Sequence, residues 1–198
     1  MVIFILGDVM KKEIRKQLDD KKKSSNKIDF KWCFSLMIVA FIISILLSFI
    51  SEIAMKDVNL LVGTLVILIF ISIGVLFDTI GVAVTSADEA PFHAMSSKKI
   101  KGARKAVSLK KNSAKVSSFC CDVVGDICGI VSGAAGVVVA ARLSSVLGIS
   151  SLFSSLLVAG FIAALTIGGK AVEKAIAINN GNKILYEFAK ILSIFGKY

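Results

Sequence analysis

The chain alternates long apolar runs with short polar, mostly basic segments. Its apolar residues come in unbroken stretches instead of the period-2 or period-3.6 patterns of half-buried strands and helices. A hydrocarbon core about 30 Å thick needs about 20 consecutive apolar residues as helix. The runs at 32–53, 60–84, 116–141 and 149–173 satisfy that requirement. The pattern therefore predicts an all-α integral membrane protein with four transmembrane helices. Between the second and third spans, residues 85–115 are polar, yet Met95, Ile100, Ala103 and Val107 recur at spacings of three to five. That periodicity predicts an amphipathic juxtamembrane helical segment lying at the headgroups. Pro91 suits its first turn, with Ser86 or Asp88 near the cap. Asn180-Gly181 is expected to break the helix that continues from the fourth span.

Charge orients these spans. The chain carries 24 Lys and Arg against 14 Asp and Glu, a net +10, with 56% hydrophobic and 19% charged residues. In a soluble protein such a balance raises nucleic acid as a partner. Here the basic residues sit just outside the apolar runs, where topology rules and anionic headgroups put them, and base-stacking aromatics are missing beside them. The lipid bilayer is the expected partner, and nucleic acid is not. Nine Lys or Arg fall in segment 1–31 and eight in 85–115, whereas 51–59 has only Lys56 and the stretch after Arg142 has none. Both termini are therefore expected in the cytoplasm of a multi-pass cell-membrane protein, with a transmembrane domain over 32–184 and a cytoplasmic tail over 185–198. Lys31 and Trp32 anchor a first span with no ionisable group in its interior, so it reads as an anchor. The opening Met1–Met10 puts apolar residues before charges, the reverse of a secretory signal.

Cys33, Cys120, Cys121 and Cys128 have no metal-site spacing and read as small packing residues, not as a disulfide framework. There is no Ser/His/Asp or Cys/His arrangement, phosphate-cradling glycine loop or His-Glu-x-x-His, and His93 stands alone. No enzymatic activity is expected.

The chemistry lies inside the spans. Asp78 interrupts the second, and Asp122 and Asp126 the third. A carboxylate well inside a membrane helix costs at least about 2.5 kcal/mol to insert, so it is rarely left without a partner, an ion or a water-filled cavity. Helix rise places Asp78, Asp122 and Asp126, with Lys170 of the fourth span, roughly 9 to 15 Å from the cytoplasmic boundary. Gly125, Gly129 and Gly133 repeat every fourth residue beside the two acids of the third span, a small-residue face that permits close helix packing or a homodimer. Three carboxylates gathered in low dielectric repel each other unless a cation balances them. A hard divalent ion suits such oxygen ligands, supplemented by Thr79, Ser117, Ser118 and carbonyls freed near Gly125. Alternatively, Lys170 itself supplies the balancing charge and the cluster fixes helix register.

The stretches FDTIGVAVTSADEAPFHAMSSKKIKGARKAV, VSSFCCDVVGDICGIVSGAAG and IGGKAVEKAIAINNGNKI resemble the transmembrane domain of the cyclin-M/CorB/CorC family of magnesium transport proteins. The resemblance covers about residues 60–184. In that family a membrane helix leads through a Lys-Gly-Ala-like juxtamembrane segment into a second helix carrying Gly-Asn, and a third ends in Gly-Glu-x-x-Pro-Lys. The Gly-Asn looks like Gly125-Asp126 here, which keeps an oxygen ligand and adds charge. The family's Ser-Glu falls on Ile80-Gly81, which cannot ligate through side chains, although Asp78 and Thr79 stand close by. The last motif falls on Gly169 to Lys174, where Lys170 replaces an acid and the proline is lost. The family's cystathionine-synthase-type nucleotide-sensing modules are not expected in this polypeptide, so such regulation would need a partner subunit.

Two functional readings result. In the first the protein binds or transports a divalent cation, magnesium by resemblance and otherwise cobalt or manganese. Asp126 is then the central ligand, Asp78, Asp122 and Thr79 support it, and Lys170 is a built-in competitor. In the second it is a non-transporting membrane scaffold or accessory subunit whose aspartates Lys170 neutralises, and its basic 85–115 segment meets anionic lipid or an acidic partner.

Overall fold

A computed structural model describes residues 30–56 and 59–195. Segment 1–29, including most of the predicted basic amino-terminal segment, lies outside the described residues, as do 57–58 and 196–198. Among the described residues the chain is 91% helical, with no strand. Four helical stretches are long and apolar enough to cross a membrane, Phe30–Met55, Leu60–Ser86, Ser113–Leu147 and Ser151–Asn179. The protein is a multi-pass membrane protein. Each helix outruns its predicted span by up to six residues at an end, because backbone hydrogen bonding continues into the polar interface after the apolar run has stopped.

The elements in order are α1 (Phe30–Met55), α2 (Leu60–Ser86), α3 (Ala90–Ser97), α4 (Ala103–Lys111) and α5 (Ser113–Ser117). A π-helical turn, Ser118–Gly125, then leads into α6 (Asp126–Leu147), α7 (Ser151–Asn179) and α8 (Gly181–Phe195). The chain forms two units, divided after Met37. In the first, the described residues Phe30–Met37 are helical, and Phe30, Phe34 and Met37 are exposed.

In the second unit α2 packs against the π turn, α6 and α7, which also pack on each other. Two apolar clusters hold this bundle. One joins Met55, Ile67, Ile71, Ala135, Val139 and Ile162. The other joins Val84, Ala87, Phe92, Ala106, Leu185 and Ala189, and so binds α3, α4 and α8 to the basic end of α2. Along α2, Asp78 falls between the two clusters. Large apolar side chains such as Leu61, Leu65, Val137, Leu152 and Phe161 point outward, as lipid contact requires.

The expected juxtamembrane helical segment is present as short helices, α3 and α4, with a turn between them. Lys99 and Gly102 both take positive φ, 56° and 87°, which no α-helix accommodates, so the chain turns between α3 and α4. Pro91 does lie in the first turn of α3, but the capping residue is Glu89, and neither Ser86 nor Asp88 caps it. The break after Asn179 falls where expected. A Cβ on Gly181 would stand 2.7 Å from Ser86 Oγ and 3.1 Å from Ala87 N, so only glycine lets α8 start against the end of α2. The predicted carboxy-terminal tail is thus helical to Phe195, with Leu185 and Ala189 fully buried.

Phe92 is the largest fully buried side chain of the second cluster, which faces water on its outer side and so draws on the hydrophobic effect. Phe92→Ala is expected to lower stability by about 3–5 kcal/mol, read as a clear fall in melting temperature of the detergent-solubilised protein. Leu61→Ala, at a position exposed to lipid, should leave it nearly unchanged.

Candidate functional site

The site begins with a close helix crossing. On α2, Gly74, Asp78 and Gly81 are buried on one stripe, spaced by the i, i+4, i+7 rule. The π turn and the start of α6 lie against that stripe. A Cβ on Gly74 would stand 3.1 Å from Cys128 Cβ and 3.2 Å from Gly125 O, while one on Gly81 would collide with Cys121 Sγ. Cys121 Sγ points to the backbone oxygen of Asp78 at 3.7 Å, and Ser117 Oγ lies 3.8 Å from the same sulfur. The cysteines here are free thiols acting as small packing groups, with Cys120 and Cys128 buried.

Gly125 is the piece that admits a charge. A Cβ there would stand 2.5 Å from Asp78 Oδ1 and 3.0 Å from Asp78 Cγ, so the Asp78 carboxylate occupies the space that any other residue would fill. The neighbouring π turn releases backbone from the i→i+4 pattern, a local widening found often at functional sites. It ends at Gly125, so Asp126 opens α6 and its carboxylate leaves the first turn of that helix.

Lys170 reaches across from α7. Its Nζ forms an ion pair with Asp78 Oδ2 at 2.8 Å and donates a hydrogen bond to Asp126 Oδ1 at 3.0 Å, so one ammonium ties three helices together. The environments differ sharply: the Asp78 side chain is 6% exposed, that of Lys170 34% and that of Asp126 61%. Thr79 turns back to donate to Val75 O at 2.8 Å. Glu173, three residues after Lys170 on the same helix face, is buried beside Thr79 and within electrostatic range of Asp78, Lys170 and Lys174. Asp78 Oδ1 and Glu173 Oε2 are buried carboxylate oxygens without a hydrogen-bond partner.

The expected residues thus separate into groups. Asp78, Asp126 and Lys170 come together, with Thr79 at their edge. Asp122 does not join them; it is exposed on the π turn, with no ion pair among the described residues. The cause is the i→i+5 winding between residues 118 and 125, which changes the angle that four-residue spacing would give on an α-helix. The glycine face also divides. Gly125 makes the close contact expected of all three glycines, whereas nothing stands within 4 Å of a Cβ on Gly129 or Gly133. Those two line a groove of about 700 Å³ between α6 and α7, with Asp126 at one end and Ala140 and Ser155 toward the other. Among the described residues, no three His, Cys, Asp or Glu side chains converge closely enough to hold a metal ion as they stand.

Glu173 is the site residue that sequence reading left out. Its signal was present in the i, i+3 spacing from Lys170, which puts an acid next to the intramembrane cation.

The arrangement defines an all-helical, multi-pass membrane protein with a charged layer inside its bundle. No protein-family model, curated protein or solved structure matches the chain.

A double-mutant cycle tests the layer. Lys170→Met and Asp78→Asn should each destabilise the detergent-solubilised protein, and together cost less than their sum, with a coupling of about 1–3 kcal/mol. Asp122→Asn paired with Lys170→Met should show additivity.

Proposed function

We propose that the protein binds a divalent cation in this carboxylate layer and moves it across the cell membrane, with Lys170 as a tethered competitor for the same oxygens. The observation that carries this reading is the pair of orphaned oxygens, Asp78 Oδ1 and Glu173 Oε2, buried and unpartnered. Leaving such an oxygen buried without a partner costs about 1–3 kcal/mol or more. Asp78, Asp126 and Glu173 set three carboxylates around Lys170, with Lys174 near Glu173 as a second cation, and a hard dication with all-oxygen ligands would meet the two orphaned oxygens.

Because Lys170 Nζ lies where a metal would bridge Asp78 and Asp126, ion entry requires the ammonium to withdraw. Its long, partly exposed stem permits that movement. Asp126 is then the ligand that meets the ion first, since it ends the groove that runs about 20 Å along α6 toward Ala140. Thr79, at the edge of the layer, serves as an outer oxygen group. The resemblance to magnesium transport proteins favours magnesium over cobalt or manganese. The charge distribution favours both termini inside.

A second reading rests on the two short contacts of Lys170. One is an ion pair to Asp78 at 2.8 Å and the other a charge-assisted hydrogen bond to Asp126 at 3.0 Å, and a permanently closed triad would make the protein a non-transporting scaffold or accessory subunit.

Magnesium separates the two. The transport reading expects magnesium to raise the melting temperature of the wild-type protein, by about 2.7 kcal/mol of stabilisation at a hundredfold excess over Kd. Lys170→Met should bind magnesium more tightly, and Glu173→Gln and Asp78→Asn should abolish the effect. In proteoliposomes loaded with a magnesium-sensitive dye, Asp126→Ala should lose flux. A Lys170→Met protein that is destabilised and not restored by magnesium would favour the closed triad, as would dye signals equal to empty liposomes for every variant.

A further inference from the structure

At the basic end of the protein, the turn between α3 and α4 and the end of α8 enclose a cavity of about 670 Å³. Lys99, Lys101, Arg104 and Lys105 line it, together with Ile100 and Ser193. Lys99, Lys101 and Arg104 are exposed and Lys105 is half-buried. No carboxylate is among the described residues lining this cavity. Three exposed cations, Lys99, Lys101 and Arg104, around one concave surface create a local potential that attracts an anion.

The backbone that presents these cations is built and not incidental. Lys99 is the one non-glycine residue with positive φ among the described residues, a conformation that persists only where its surroundings over-determine it. Its N–H donates to Ser96 O at 3.0 Å, and the Ile100 N–H donates to Met95 O at 3.1 Å. Tyr186 Oη, on α8, donates to Lys101 O at 3.3 Å. Gly102, at φ 87°, presses on α8 so closely that a Cβ would stand 3.1 Å from Lys190 Cα. The turn is therefore clamped against α8 with its basic side chains around one opening.

We propose that this cavity binds the phosphate of an anionic lipid headgroup. Guanidinium and ammonium groups are the donors that phosphate oxygens select. Exposed apolar side chains distinguish a lipid from a soluble phosphate: Ile100 lines the cavity itself, and Ile191 and Ile194 stand exposed on either side of Ser193. An acyl chain leaving the headgroup would lie along them. The α8 helix, with Leu185 and Ala189 buried inward and these isoleucines outward, has the two-faced character of an interfacial helix. This lipid site stands independently of the cation reading, because none of its residues belongs to the charged layer.

The full-length protein in a zwitterionic detergent, titrated with phosphatidylglycerol, phosphatidylcholine or inorganic phosphate, provides the test, with lipid retention by native mass spectrometry and melting temperature as readouts. Phosphatidylglycerol should bind and stabilise, and phosphatidylcholine should do neither. Lys99→Gln with Arg104→Gln should weaken phosphatidylglycerol binding about tenfold or more, while Lys111→Gln with Lys183→Gln, which removes as many charges elsewhere, should leave it within twofold. If the first double variant melts early without lipid, Lys99→Gln alone supplies the same comparison. Equal binding of the two lipids, or equal loss in both double variants, would overturn the site. Inorganic phosphate stabilising as well as the lipid would overturn the lipid assignment.

Discussion

Everything in the bundle is subordinate to one ammonium. Lys170 Nζ lies between Asp78 Oδ2, which is buried, and Asp126 Oδ1, which is exposed. Removing Lys170 leaves the buried Asp78 carboxylate uncompensated, which costs more than the pair contributes when intact. The consequence is positional. α2, α6 and α7 cannot slide or rotate independently without separating charges that have nowhere else to go, so register is set here and the apolar side chains fill in around it.

The sequence accommodates that constraint with small residues and with one irregular turn. In lipid there is no hydrophobic drive to bring helices together, so contact depends on how closely backbones can approach. Gly74 and Gly81 bring α2 against the π turn, and Gly125 leaves room for a carboxylate where a Cβ would otherwise stand. A larger residue at 125 would displace Asp78 toward lipid or away from Lys170. The orphaned oxygens of Asp78 and Glu173 mark what the small residues did not solve: space was made for carboxylates, but one ammonium does not occupy all of their oxygens.

The four spans were legible because hydrocarbon thickness translates directly into run length, and membrane burial demands it of every residue in the run. Asp78, Asp126 and Lys170 were legible as a common layer because rise per residue fixes depth even when nothing is known of packing. Direction around the helix axis is another matter. Asp122 was grouped with Asp126 on α-helical spacing, and a π turn, which no local residue pattern announces, moved it out. Gly129 and Gly133 share the spacing of Gly125, yet they face an open groove, because contact depends on what the facing helix presents. Glu173 was overlooked since it lies near the end of its apolar run, where charges normally belong to the interface. The turn at Lys99–Gly102 was hidden for a similar reason: lysine carries no propensity for positive φ, and only the clamp by α8 imposes it.

The charged layer also sits where two regimes of stability meet. On one side the cluster around Ile67, Val139 and Ile162 is held by packing in lipid; on the other the cluster around Phe92 and Leu185 draws on water exclusion at the basic end. α2 and α7 run through both regimes and carry the layer between them. Beyond it they are joined again, since Ser86 Oγ donates to Ala177 O at 3.2 Å and Gly181 starts α8 against Ala87. Lys170 stands about two turns from that junction along α7, and the junction leads into α8. Because α8 also clamps the basic turn through Tyr186 and Lys190, the charged layer and the basic surface are held in place by the same pair of helices, α7 and α8.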